Sequence, residues 1–259
     1  MNHVALRVSY QDYVCRAQIH RPGANNTING ELVAELGHVL GVCGDDTRKP
    51  AIKVLVLEGL PDVFCSGGDF AELRGPSSGG EDVGLAPEPL YDLWLGLTTG
   101  PFVSISVVRG KVNAGGVGFV AASDVVIADN TAQFSLSELL FGVLPACVLP
   151  FLVRRVGFQK ANFLALMTRP FSAEEARDCG LVDVLGEDAE ALLRKHLLRL
   201  RCLSRGGISR YKHFMSRLDT SVFDRKQTAL AANREAFRDP ENLAGISRYL
   251  AEGKFPWEE

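Results

Sequence analysis

A chain of 259 residues is long enough to bury one sizeable core, as a single large domain or as a domain with a C-terminal appendage. With 46% hydrophobic and 23% charged residues and a net charge of −3, it has an ordinary globular composition and lacks the basic excess that would draw nucleic acid or an anionic membrane surface. A basic-then-apolar leader and a long uninterrupted apolar run are both missing, so a cytoplasmic protein with no membrane span is expected.

Val4 to Ser9 and Val14 to His20 are short alternating runs on either side of Tyr10 to Tyr13, the pattern of an opening β-hairpin. A turn at Arg21-Pro22-Gly23 follows. From Asn29, a plausible N-cap, the apolar positions Leu32, Val33, Leu36, Val39, Leu40 and Cys43 recur at helical spacing. Ile52 to Glu58 lacks polar alternation and reads as a buried strand of a parallel sheet. Gly59 to Leu73 predicts a strand that gives way through glycines to a short helical turn, with Asp69 as a possible cap. Gly75 to Pro89, rich in Gly, Pro and Ser, predicts a mobile loop, and Leu90 to Leu97 resumes a helix.

The stretch around which these elements are organised is Val107 to Asp124, predicted as a strand, a turn and a helix. At such a junction the first backbone N–H groups of the helix lack intrahelical partners and the helix dipole adds partial positive charge. Ala114, Gly115 and Gly116 stand there with little side chain, so a substrate carbonyl could approach, as an oxyanion hole requires. The same glycines could serve only close helix packing. The turn after Phe64-Cys65 repeats the arrangement, and Gly68 would supply a second N–H.

Asp124 to Ala128 predicts another strand. Downstream, Glu138 is a lone carboxylate followed by Leu139, Leu140 and Phe141, surroundings that disfavour ionisation and bring its pKa toward that of a proton carrier at neutral pH. A surface or capping glutamate is the alternative. Ser172-Ala173-Glu174-Glu175 resembles a capping box, Gly180 a helix stop, and Leu181 to Val184 a short apolar run. Ala189 to Cys202, Ile208 to Leu218 and Phe223 to Phe237 predict a helical tail, on which Arg194, Lys195, Arg199 and Arg201 mark a solvated face. The six cysteines, Cys15, Cys43, Cys65, Cys147, Cys179 and Cys202, show no CxxC spacing, so reduced core thiols are expected rather than a zinc site or disulfides.

Over nearly its whole length the chain resembles the crotonase (enoyl-CoA hydratase/isomerase) superfamily. The resemblance is carried in order by His20-Arg21-Pro22 with Asn25-Asn26-Thr27-Ile28-Asn29, by Phe64 to Asp69, by Gly110 to Asp124, by Ser172 to Asp183 and by the closing segment Glu241 to Trp257. It implies an α/β fold of the ClpP/crotonase type, with repeated ββα units over 1–185 and a helical C-terminal region over 186–259 that serves trimerisation or covers the site. It makes Gly68 and Gly115 the donors that hold a thioester oxygen, Glu138 the acid/base, and Ala24, Ser66 and Asp69 substrate contacts, with no metal. One departure narrows the chemistry, because the position of the first acid in two-glutamate hydratases is Gly118 here. A catalytic role for Asp69 or Glu72 is disfavoured, since acids there also fit helix capping.

Within that superfamily, residues 88 to 94, 109 to 116 and 134 to 142 resemble the polyketide biosynthesis enoyl-CoA hydratase homologues of β-branching cassettes. The resemblance implies dehydration of 3-hydroxy-3-methylglutaryl on an acyl carrier protein to 3-methylglutaconyl. No cofactor is implied beyond the phosphopantetheine arm that carries the substrate. The implied partners are the carrier protein and the cassette enzymes, and the implied assembly is a homotrimer or hexamer. Gly23 and Ala71 stand where CoA-using relatives often carry a lysine, which weakens a grip on the CoA phosphates and suits a carrier-bound substrate. An isomerase or decarboxylase on the same scaffold, and a non-catalytic RNA-binding or scaffold protein, are the rival readings. The intact glycines and the lack of a basic or aromatic cluster disfavour the last of these.

Overall fold

A tight hairpin opens the chain, β1 (Leu6–Gln11) and β2 (Val14–Ile19) pairing antiparallel in register from Leu6↔Ile19 to Gln11↔Val14. The computed structural model describes residues 3–70 and 86–258. Helix α1 (Gly30–Gly44) starts where the sequence predicts, with Asn29 Oδ1 accepting the Leu32 N–H at 3.0 Å. The remaining strands are β3 (Val54–Glu58), β4 (Val63–Cys65), β5 (Val103–Val108), β6 (Lys111–Asn113), β7 (Val125–Asp129), β8 (Gln133–Ser135), β9 (Phe171–Ser172) and β10 (Val184–Gly186).

These strands form two sheets, a larger one in the order β1-β2-β3-β5-β7-β10 and a smaller one in the order β4-β6-β8-β9. Three times in succession the chain lays one strand in the larger sheet and the next in the smaller: β3 then β4, β5 then β6, β7 then β8. Helices α2 (Pro87–Thr99) and α3 (Gly115–Ala122) follow the first and second of these pairs, so the ββα repetition that the family resemblance implied is the repetition observed. The small sheet is what the residue pattern missed. Its strands are two or three residues long, too short for alternation to register, and Lys111–Asn113 was expected as part of a turn.

Apolar from Val54 to Leu57, β3 is covered on both faces, as that composition demands. Val54 and Val56 pack with Ile105, Val107, Ile127 and Leu193 of α7 (Ala189–Leu200), whereas Leu55 and Leu57 belong to the main core on the other side. Helix α8 (Arg205–Leu218) is pinned by the buried Lys212, whose ammonium donates to the carbonyls of Leu97 (2.9 Å) and Phe102 (3.0 Å) and to Asp124 Oδ2 (2.5 Å). Burial lowers the pKa of this lysine while Asp124 opposes the shift, so Asp124 closes the central stretch as a structural anchor.

Helices α4 (Leu149–Val156), α5 (Phe158–Met167) and α6 (Ala173–Asp178) precede β10, and α6 carries the expected capping box between Ser172 and Glu175. The run from Leu181 contributes two buried plugs, Leu181 and Val182, before strand pairing begins at Val184. The segment expected as one helix over 223–237 is divided into α9 (Ser221–Asp224) and α10 (Lys226–Arg238), and α11 (Pro240–Glu252) closes the fold. Arg194, Lys195, Arg199 and Arg201 are exposed, as expected of a solvated face. Most of the predicted loop over 75–89 lies outside the described residues, but its far end is helical, with Pro87 in the first turn of α2, where a missing N–H costs nothing. Among the described residues no helix is long and apolar enough to cross a membrane.

Candidate functional site

Strands β4, β6 and β8 run parallel as neighbours, so their C-terminal ends open on the same side. Gly68 lies three residues beyond the end of β4, Gly115 two beyond β6 and Glu138 three beyond β8. Residues far apart in the chain thus meet because of one short sheet, at the strand ends where parallel sheets place their ligands.

At the first end, Ile28 N–H donates to Gly67 O and Asp69 N–H to Ile28 O, both at 2.8 Å. This bridge uses the groups flanking Gly68 and leaves the Gly68 N–H without an acceptor among the described residues. At the second end, Gly115 is the first residue of α3, and its N–H has no acceptor among the described residues either. The two turns touch: a Cβ at Gly67 (φ +90°) would sit 2.8 Å from Ala114 Cβ and 3.6 Å from Gly115 N, so only glycine fits there. Gly115 and Gly116 differ in their surroundings. A Cβ at Gly116 would lie 2.6 Å from Cys65 O, which is close packing, whereas Gly115 lines a cavity.

Ala114, between them, has φ +50° and ψ −122°, a conformation that costs an L-residue on the order of 1–3 kcal/mol. Neighbouring bonds hold it. Its N–H donates to Ser135 O at 3.0 Å, and Asn113 accepts at Oδ1 from Ser135 Oγ (2.8 Å) and donates from Nδ2 to Ser137 Oγ (2.9 Å). The turn that presents Gly115 is therefore tied by side chains to the residue preceding Glu138.

The cavity, about 660 Å³, is lined by Gly68, Gly115 and Glu138 together with Ser66, Asp69 and largely apolar side chains. Glu138 opens a short 3-10 turn (Glu138–Phe141), and its Oε2 is buried with no hydrogen-bond partner among the described residues. Loss of solvent pushes its pKa up to about 7, opposed only by its own backbone N–H. A base must be ionised to accept a proton, and the ionised fraction of Glu138 grows as pH rises through about 7. The rate constant kcat/KM is expected to climb tenfold per pH unit below about 7 and to level above it. A profile already flat from pH 5 upward would show that Glu138 is an ordinary solvated carboxylate.

Asp69 is engaged by Arg21 (3.0 Å) and by Thr27 Oγ1 (3.0 Å), which makes it a brace of the first turn. Ser66 lines the cavity. Ala24 does not: it sits in a 3-10 turn bonded to Arg21 O, and its neighbour Asn25 forms the wall instead. Gly23 is exposed, and Ala71 and Glu72 lie outside the described residues. The missing second acid has a steric counterpart, because a Cβ at Gly118 would come within 2.4 Å of the Trp94 ring. Trp94 is 1% exposed, wedged edge-on against Phe119 and Phe151, and its Nε1–H has no acceptor among the described residues. No pattern within residues 87–99 signals this contact, because the indole and Gly118 meet only through the packing of α2 on α3.

The C-terminal helices close the cavity. Asn233, Arg234 and Phe237 of α10 and Tyr249 and Leu250 of α11 line it. Phe141, in the turn of Glu138, packs against Tyr249 and Phe255 with ring centroids 5.2 and 5.7 Å apart, and Asn242 Nδ2 donates to Gly142 O at 3.2 Å. All six cysteines are free, four of them buried, but Cys202 is exposed rather than a core thiol. Cys147 lines the cavity as a neutral thiol, its pKa pushed up to about 12 by burial. Among the described residues no group of His, Cys, Asp or Glu is arranged to hold a metal ion.

The model of the enoyl-CoA hydratase/isomerase family matches residues 9–259. The chain is 54% identical over 259 residues to the bacillaene synthase dehydratase PksH of Bacillus subtilis, spanning 100% of this chain and 98% of that protein. It is 33% identical over 180 residues to the mevalonyl-coenzyme A hydratase SIDH of Beauveria bassiana, spanning 67% of this chain and 63% of that one. Among solved structures, pksH from Bacillus subtilis matches with a TM-score of 0.93 at 54% identity, covering 98% of this chain and 100% of that chain. An enoyl-CoA hydratase/isomerase from Marinobacter aquaeolei matches at 0.76 and 27% identity, covering 98% of both.

Proposed function

The chain belongs to the enoyl-CoA hydratase/isomerase family and is a hydratase-like enzyme, and from that premise we propose that it removes water from 3-hydroxy-3-methylglutaryl on an acyl carrier protein, giving the 3-methylglutaconyl thioester. The observation that carries the reading is one desolvated carboxyl, Glu138, sharing a cavity with two backbone donors that lack acceptors among the described residues. Its relatives support the substrate class. PksH is named a dehydratase of bacillaene synthase, and the mevalonyl group named for SIDH shares with 3-hydroxy-3-methylglutaryl a methyl-bearing tertiary carbinol at C3.

In this mechanism the thioester oxygen rests on the N–H groups of Gly68 and Gly115. Ionised Glu138 removes a proton from C2, and the electrons of the broken C–H bond become an enolate held by those donors. The enolate then reforms the carbonyl as the C3–O bond breaks, and Glu138 returns the proton to the departing hydroxyl, so that water leaves. One carboxyl serving both steps implies syn elimination, and the tertiary carbon eases C–O cleavage. A decarboxylase would make its carbanion by losing CO₂ and would need no base at C2.

The proposal needs no resident cofactor, since the phosphopantetheine arm belongs to the substrate. The carrier protein and cassette enzymes are its proposed partners, and a homotrimer or hexamer its proposed assembly. Incubation with 3-hydroxy-3-methylglutaryl carrier protein followed by weighing of the product tests the reading. Loss of one water supports it; loss of water plus CO₂, or an unchanged mass, overturns it. With Gly23 in place of an expected lysine, kcat/KM should be higher for the carrier-protein thioester than for the CoA thioester of the same acyl group. Equal or better efficiency with CoA would remove that argument.

A further inference from the structure

A dicarboxylic substrate brings a second negative charge into the cavity. An uncompensated carboxylate transferred from water into such surroundings costs several kcal/mol, so a site evolved for it must contain a countercharge. Arg21 is spent on Asp69 and Thr27. Arg238 is also on the wall and has a partner of its own.

Arg234 differs from both. It is half-buried on the inner face of α10 and lines the cavity, yet among the described residues it makes no ion pair and no hydrogen bond. Three other sheltered arginines are satisfied: Arg16 by Glu58 and Glu190, Arg155 by Asp183 and two carbonyls, Arg205 by Asp46 and two carbonyls. Arg48, whose Nε also lacks a hydrogen-bond partner among the described residues, lies over the Tyr10 ring at 4.3 Å and does not line the cavity. The charge of Arg234 also reaches the cavity wall at Cys147, where it opposes the effect of burial on the thiol. A guanidinium sheltered from water and left without an anion is matched to a ligand carboxylate, which it can grip with two parallel bonds.

We propose that Arg234 is the subsite for the terminal carboxylate of the acyl chain, and so the residue that selects dicarboxylic over neutral acyl thioesters. The proposal rests on the dehydratase reading for its substrate but can be tested apart from it. The probe is 3-methylglutaryl-pantetheine, which lacks the 3-hydroxyl and cannot lose water, compared with its C5 amide, which is nearly isosteric and uncharged. Both are titrated into the full-length wild-type protein, Arg234→Gln and Arg234→Lys, with melting temperatures checking that each variant is folded.

Wild type should bind the acid more tightly than the amide. Arg234→Gln should weaken the acid by roughly 10²-fold while changing the amide by less than about threefold, and Arg234→Lys should restore part of the loss. The same pattern should appear in kcat/KM for 3-hydroxy-3-methylglutaryl carrier protein against its amide, chiefly in KM. Equal weakening of acid and amide, or no weakening of either, overturns the assignment. Failure of the wild type to dehydrate the acid, with the acid-specific binding defect present, would overturn the proposed reaction and leave the subsite standing.

Discussion

Glu138→Gln should cut turnover by roughly 10²–10⁴-fold with substrate affinity little changed, because glutamine keeps the shape of the side chain and cannot accept the C2 proton. The same variant should gain stability at high pH. A carboxyl held near 7 in the fold and near 4.5 in the open chain contributes no penalty below about pH 4.5, where both forms are protonated. As pH rises from about 4.5 to about 7 the unfolded chain releases a proton that the fold still holds, so stability falls, by roughly 3 kcal/mol at most, and levels once pH passes about 7. Glutamine removes that penalty, so thermal unfolding at pH 8 should show a higher Tm than wild type, and the gap should close toward pH 4. Near wild-type turnover in the folded variant would show that another group carries the proton. Stereospecific C2-deuterated substrate adds an independent check on the wild type, since an anti outcome cannot come from one carboxyl acting on both leaving groups.

Gly115→Val should cost at least 10²–10³-fold in kcat, the loss typical of removing an oxyanion donor. A Cβ built there comes within 2.9 Å of Ile28 Cδ1, the far end of a flexible side chain, and otherwise meets only Gly67 Cα at 3.9 Å. The fold can absorb that contact, but the rest of the valine occupies the approach of the thioester oxygen and displaces it from both donors. Unfolding midpoints should therefore move far less than the rate. Unchanged turnover in a folded Gly115→Val enzyme would remove the oxyanion assignment. Gly116 makes the contrast, because a Cβ there would stand 2.6 Å from a backbone carbonyl and should damage folding first.

What could be read from residues alone was whatever long-period patterning records. The buried β3, helix α1 with its Asn29 cap and the capping box at Ser172 follow from local chemistry, and each was placed correctly. Glu138 was legible because its apolar neighbours follow it directly in the chain, and the structure adds the stranded oxygen. The small sheet was not legible, since two- and three-residue strands carry too few side chains to show a period, and that sheet is what brings Gly68, Gly115 and Glu138 together. Arg234 gave no signal, because an arginine on an amphipathic helix resembles any solvated one until the helix is seen lying over a cavity. The positive φ of Ala114 was also hidden, since alanine carries none of glycine's advertisement of that conformation.

The wedge of Trp94 against Gly118 bears on how the site could change over generations. A glutamate at 118 would collide with the indole as long as Trp94 remains, and replacing Trp94 alone would open a void beside Phe119 and Phe151 in the middle of the core, at a cost of about 3–5 kcal/mol for truncation to alanine. Each single step is costly and the two sites are in contact, so their effects should couple rather than add. A carboxylate at 118 therefore depends on what stands at 94, and a change at one position alters which residues the other can accept.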